Sequence, residues 1–375
     1  MLTRREFIKE SVVAACTMIN LPHAVNSLKT FVQQETTSSV EDQYQRAIVI
    51  DTLVGDGPWF DTKQAIEAGL TAVVVDIPAF PRNLPNAIQA MTEWNAALRK
   101  QDSGMIKVLK ASDVEAAKQQ KKLGIILASQ DASILDASTA SVYDYNIQNL
   151  YLFYDLGLRV LQLTHNERNA LGDSFREKSD AGLSRLGERV VEEMNSLGMV
   201  IDLSHCGDKT TLEAIQLSKK PCAITHAGCR SLYPSLRNKT DEHMRALSEK
   251  GGVFGIYNMT LWLTDRETSS INDVINHIDH AVKVGGVDHV SFGSDGPVLE
   301  LQLEDELKGM QSYAERNLGL PGAERIPSHV RVPELNSPKR LFNLAEALSK
   351  RGYKNAGIEK IIGGNFVRLF KEICG

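Results

Sequence analysis

The chain has 375 residues, 42% of them hydrophobic, and carries 42 Lys and Arg against 47 Asp and Glu, a formal net charge of −5. That apolar content supports a full core, and the mildly acidic balance excludes the basic footprint of a nucleic-acid-binding domain. Past the N-terminus the sequence has no run of the roughly 18 apolar residues that a membrane-spanning helix requires.

The first segment reads as an export signal. Thr3-Arg4-Arg5-Glu6-Phe7-Ile8-Lys9 has the form of a twin-arginine signal and is followed by a modest apolar stretch from Ser11 to Leu21. We expect residues 1–32 to be this signal, residues 33–44 a polar linker and residues 45–375 one domain, with the protein exported to the periplasm or cell envelope. Val13-Ala14-Ala15-Cys16 also has the form of a lipoprotein box, so membrane attachment is expected only if Cys16 is lipidated. The remaining cysteines, Cys206, Cys222, Cys229 and Cys374, are scattered and form neither a CxxC nor a disulfide framework.

From residue 47 onward, short Val/Ile/Leu-rich runs alternate with helical patterns. Strands are expected at 47–51, 70–76, 124–129, 159–165, 199–205, 222–227, 252–258 and 289–295. Helices are expected at 84–101, 184–197, 208–217 with Asp208 as N-cap, and 271–284 with Asn272 or Asp273 as N-cap. Eight strands alternating with helices predict a (β/α)₈ TIM barrel. The competing doubly wound sheet usually carries a glycine-rich phosphate turn after its first strand, and Asp51-Thr52-Leu53-Val54-Gly55-Asp56-Gly57 is not one. Residues 300–345 fit no strand and read as a long excursion beside the barrel.

The chemistry lies where the strands stop. Barrel strands present their C-terminal ends to one shared pocket. Those ends here offer Asp51 or Asp56, Asp76, Ser129-Gln130-Asp131, His165, His205, His226, Asn258 and Asp295. Histidines with carboxylates suit Zn²⁺ or another first-row divalent ion, which supplies an activated water. His205 and His226 are the expected metal ligands, and Asp295 is either a further ligand or the base that takes the water's proton. Arg237, in the loop after His226, has the chemistry to clamp a substrate carboxylate. Asn258 is expected to line the pocket.

Several of these motifs stand in one order: Leu163-Thr164-His165-Asn166, Asp202-Leu203-Ser204-His205, Thr225-His226, Arg237-Asn238, Phe292-Gly293-Ser294-Asp295 and Gly363-Gly364-Asn365-Phe366. In this they resemble the membrane (renal-type) dipeptidase family, peptidase family M19. The resemblance implies a metal-dependent barrel, usually a homodimer, that hydrolyses dipeptides at a two-zinc centre. By position it implies that His205 and His226 bind one zinc and that Asp295 serves the other metal and the catalytic water. It further implies that His165 steadies the scissile carbonyl or the tetrahedral intermediate and that Arg237 holds the substrate carboxylate.

Two places depart from the pattern. The family's first strand ends in a His-x-Asp pair, and Leu53 and Gly55 stand there instead. Its third strand supplies a glutamate bridging both metals, and Ser129 or Gln130 takes that position. Asp51, Asp56 and Asp131 lie close by, but a side chain one position along a strand points to the other face. The expectation is therefore one zinc ion and a peptide-like substrate. Two other readings of the same residues are a divergent, iron-dependent maturation enzyme, since two histidines and one carboxylate also form a facial triad, and a non-catalytic binding protein.

Overall fold

The apolar runs read as buried strands do pair, all of them in parallel. The computed structural model describes residues 39–78, 81–136, 145–300 and 327–375, with 304, 308 and 309. The expected signal (1–32), Cys16 and linker residues 33–38 lie outside the described residues, as does most of 301–326. The compact unit Gln43–Gly375 carries the barrel.

The strands are β1 (Ile50–Gly55), β2 (Ala72–Asp76), β3 (Met105–Lys107), β4 (Leu123–Ser129), β5 (Leu158–Gln162), β6 (Val200–Asp202), β7 (Ala223–Ala227), β8 (Val253–Ile256) and β9 (Val290–Phe292). Their order is β1-β2-β4-β5-β6-β7-β8-β9, with β3 attached to the start of β4. The eight strands of the main path match the eight expected. β3 is an addition too short to show a period. β1 starts three residues later than the sequence suggests, which puts Asp51 inside the strand rather than at its end.

The barrel closes through a seam just beyond the last strand. Val54 bridges Gly296, the Gly55 N–H donates to Gly296 O at 2.9 Å, and the Asp295 N–H donates to Leu53 O at 3.0 Å. Inside, the Thr52 hydroxyl lies 2.8 Å from Thr225 O and 3.0 Å from Phe292 O. Two glycines admit this close approach: a Cβ on Gly255 would sit 1.9 Å from Thr225 O, and one on Gly293 2.3 Å from the same atom.

Helices cover the barrel where the sequence places them: Leu84–Leu98, Arg185–Leu197, Asp208–Leu217 and Ile271–Gly285. The N-caps of the last two are Gly207 and Ser270, each one or more residues ahead of the expected Asp208 and Asn272 or Asp273. The C-terminal helix Asn365–Cys374 plugs the N-terminal mouth, packing Phe366, Leu369, Phe370 and Ile373 against Ala72, Val200, Ala223 and Val253 at the strand starts. The excursion after β9 returns across the opposite mouth, where Met259 and Arg331 form an antiparallel bridge.

Gly255→Ala is expected to destabilise the fold by about 3 kcal/mol or more, because the added methyl meets backbone that cannot yield locally. Chemical denaturation reads this, and an unchanged midpoint would mean that β7 and β8 separate without cost.

Candidate active site

Two imidazoles meet at the C-terminal mouth. His205 follows β6 and His226 lies within β7, and their Nε2 atoms are 2.9 Å apart. What aims them is the carboxylate of Asp202, at the end of β6. Its Oδ1 accepts from Ser204 N (3.1 Å), Ser204 Oγ (2.5 Å) and Thr225 N (3.1 Å), and its Oδ2 from Thr225 Oγ1 (2.6 Å). With its own proton committed to Asp202, Thr225 Oγ1 is an acceptor for His226 Nδ1–H at 2.8 Å. His205 Nδ1–H donates to Asn166 Oδ1 at 2.9 Å. The hydrogen bonds thus assign both protons to Nδ1, which leaves the two Nε2 lone pairs adjacent, on atoms 2.9 Å apart.

Electrostatics keep the imidazoles uncharged. Burial pushes His165, His205 and His226 well below the usual histidine range, and nearby guanidinium groups add to this, Arg82 for His165 and Arg237 for the other two. His165 stacks on His205 with ring centroids 4.4 Å apart. Asp295 closes the site: its Oδ1 lies 3.9 Å from His226 Nε2. Its backbone is left-handed at φ 54°, an unusual conformation for a residue other than glycine. Burial raises its carboxyl to about 6, opposed by Arg237 and Arg331.

Neutral imidazoles whose Nε2 lone pairs converge, each fixed through Nδ1 by a neighbour, are what a metal ion requires of its ligands. Among the described residues no group of three or more His, Cys, Asp or Glu forms a ready metal cluster. The residues present therefore fit one ion held at two nitrogens, with Asp295 the nearest carboxylate oxygen described, and they do not fit two ions. Leu53 is buried apolar. Asp51 is occupied by Arg340 Nη1 (3.3 Å) and Ser294 N (2.8 Å). Asp56 accepts from Gly57 N and Val298 N, and Asp131 caps Ser133 and binds Asn169. None of these three carboxylates replaces a missing ligand. Cys206 is buried beneath Thr164, whose hydroxyl lies 3.4 Å from the sulfur.

Arg237 is fully buried, donating Nη1 to Ser204 O (2.7 Å) and Nη2 to His226 O (2.9 Å), with Phe175, Tyr257 and Trp262 around its guanidinium. It braces the backbone at Ser204, beside His205, and at His226. Asn258 is buried too, and its Oδ1 accepts from Arg331 Nη1 at 3.3 Å. The sequence reading missed Arg82, Arg331 and Arg340, which reach the site from irregular loops or a distant helix. No periodicity marks such residues.

The family model described as membrane dipeptidase (peptidase family M19) matches residues 26–313. The chain is similar to dipeptidase tcpJ of Claviceps purpurea, 28% identical over 262 residues, covering 69% of this chain and 55% of that protein. It is also similar to dipeptidase verJ of Clonostachys rogersoniana, 31% identical over 222 residues, covering 59% and 50%. The chain spans about half the length of these curated relatives. Among solved structures, an amidohydrolase from Pseudomonas aeruginosa superposes with a TM-score of 0.78 at 26% identity, covering 89% of this chain and 99% of that one. A metallopeptidase from Rhodobacter sphaeroides, liganded with a phosphinate mimic of L-Ala-D-Ala, shares the fold with a TM-score of 0.70 at 19% identity, covering 88% and 100%.

Asp202→Asn tests the aiming network. An amide nitrogen facing Thr225 forces that hydroxyl to turn and donate to His226 Nδ1, which moves the imidazole proton to Nε2. Divalent-metal affinity should fall roughly 10–100-fold, read by calorimetry. Unchanged affinity would show that Asp202 does not set the tautomer.

Proposed function

The chain belongs to the membrane dipeptidase family, peptidase family M19, and on that premise we propose that it hydrolyses a dipeptide or a similar small amide using one zinc ion held by His205 and His226. The observation that carries this reading is the pair of neutral imidazoles with converging Nε2 lone pairs beside the part-buried Asp295. The inhibitor in the Rhodobacter sphaeroides structure mimics a dipeptide, which supports the same substrate class.

A bound divalent ion supplies a water of lowered pKa and polarises the carbonyl under attack. The side chains do the rest. Asp295, with its carboxyl raised to about 6, accepts the water's proton and is basic enough to hold it until the leaving amine needs it. His165, kept neutral by burial and Arg82, donates a hydrogen bond to the oxygen that gains charge in the tetrahedral intermediate. Arg237 and Arg331, both of which act on the Asp295 carboxyl, provide the positive field that draws in the substrate carboxylate, and Asn258 Oδ1 accepts from Arg331. Export through the arginine-bearing segment 1–32 and homodimeric assembly belong to the same proposal.

Zinc analysis of the purified protein beside a dipeptide hydrolysis assay tests the reading. His226→Ala is expected to lose both the ion and turnover. Asp295→Asn should keep the ion and lose about 10²–10⁴-fold in kcat; loss of the ion as well would make Asp295 a ligand rather than the base. A protein that takes up no metal and cleaves no dipeptide would end the proposal, and bound iron without peptidase activity would point to the facial-triad reading instead.

A further inference from the structure

Resting on the one-ion reading above, we infer that the guanidinium of Arg82 takes the place of a second metal ion and is the site's permanent second positive charge. The ground between the first and fourth strands is where the dipeptidase-like pattern would place the ligands of another ion, and the register shows what stands there. Gly55 on β1 lies beside Asp76 on β2, and Asp76 lies beside Ala128 on β4. Asp76 therefore ends its strand between the two departures, Leu53/Gly55 on one side and Gln130 on the other.

Arg82 fills that ground. Its Nη1 donates to Asp76 Oδ1 at 3.0 Å and its Nη2 to Asp76 Oδ2 at 2.7 Å, a two-pronged pair with both side chains almost wholly buried. Gln130 completes the clamp, its backbone N–H reaching Asp76 Oδ1 at 2.9 Å and its Nε2 reaching Asp76 Oδ2 at 3.1 Å. A glutamate at 130 would turn a carboxylate toward the Asp76 carboxylate, whereas the amide offers it a donor. A glutamine rather than a glutamate at 130 and an arginine at 82 thus belong together chemically. The buried Gln130 Oε1 accepts no hydrogen bond, and a neutral amide oxygen is a far poorer ligand for zinc than a carboxylate.

The guanidinium also acts on the reacting groups. Arg82 interacts electrostatically with His165, Asp131 and Asp295. It lies within electrostatic reach of both groups that the proposed hydrolysis uses. Arg82 is accordingly a positioning residue, which fixes Asp76 and the end of β4 and projects a charge that chelators cannot remove.

The test is zinc titrated into the chelator-stripped full chain, followed by calorimetry and elemental analysis, with melting temperatures recorded for every variant. The wild type should saturate at one equivalent. Arg82→Lys keeps a cation beside Asp76 and should stay at one. The double variant Arg82→Met with Gln130→Glu leaves two facing carboxylates and no guanidinium, and it should take up a second equivalent. Two equivalents in the wild type would overturn the inference without needing any variant to fold, as would a folded double variant that stops at one. The stoichiometry is read without turnover. Failure to cleave dipeptides would therefore sink the proposed function and leave the role of Arg82 standing, whereas a folded double variant that stops at one equivalent would sink the role of Arg82 and leave the proposed function standing.

Discussion

The histidine pair of the site hangs on one buried carboxylate. Asp202 stands at the end of β6 with four donors on its two oxygens, two from Ser204 and two from Thr225. Burial alone drives its pKa upward, and those four hydrogen bonds pull it back. A buried charge survives only when it is satisfied in this way. The donors sit one residue before each of the two facing histidines, His205 and His226. The electrostatic need of Asp202 therefore ties β6 to β7, sets the spacing of His205 and His226, and fixes the tautomer of His226.

A second constraint, the closing seam, delivers the remaining carboxylate. β1 does not pair with β9 itself but with the residues just past it, so Ser294 to Gly296 must run against Leu53 to Gly55. This forces Asp295 into a left-handed turn and aims it across the mouth toward His226. Asp51 belongs to the seam rather than to the chemistry. It anchors Ser294 N and pairs with Arg340 from the helix Arg340–Arg351, which makes the barrel's last join an ion pair inside the protein. Losing either partner alone would leave a buried charge uncompensated, the costly way to break such a pair.

The contrast between Asp51 and Asp202 shows how far the sequence could be read. Eight apolar runs and the chemistry at their ends were legible, because burial in a parallel sheet imposes continuous hydrophobic stretches and a barrel gathers strand ends. His205, His226 and Asp295 do converge. Asp51 and Asp202 look alike in sequence, each closing a Val/Ile run, yet one is a seam anchor and the other aims two histidines. Which it is depends on partners from elsewhere in the chain: Arg340 for the first, Thr225 for the second. Arg237 was legible as a charge near the site but not as a buried brace, since the carbonyls it serves, Ser204 O and His226 O, are backbone atoms that carry no sequence signal. Arg82 and Arg331 were illegible for a plainer reason: they stand in irregular connections, where neither period nor cap marks a residue.

A guanidinium differs from a divalent ion in one respect that decides how the site divides its labour. Arginine can hold an anion, orient it by a planar fork and offset its charge, but it has no open coordination position and cannot acidify a water. With Arg82 locked to Asp76 and Gln130, that side of the pocket can only stabilise charge, and in the proposed hydrolysis the work of making a nucleophile falls on the His205–His226 side with Asp295 as its base. A two-ion site can lose part of one ligand set and still hold its water through the other. The proposed one-ion site has no such reserve, so the tautomer and spacing of two imidazoles become the point at which it succeeds or fails. That concentrates the demand on the Asp202 carboxylate, which sets the spacing of the pair and the tautomer of His226, and explains why the donors around it are so completely used.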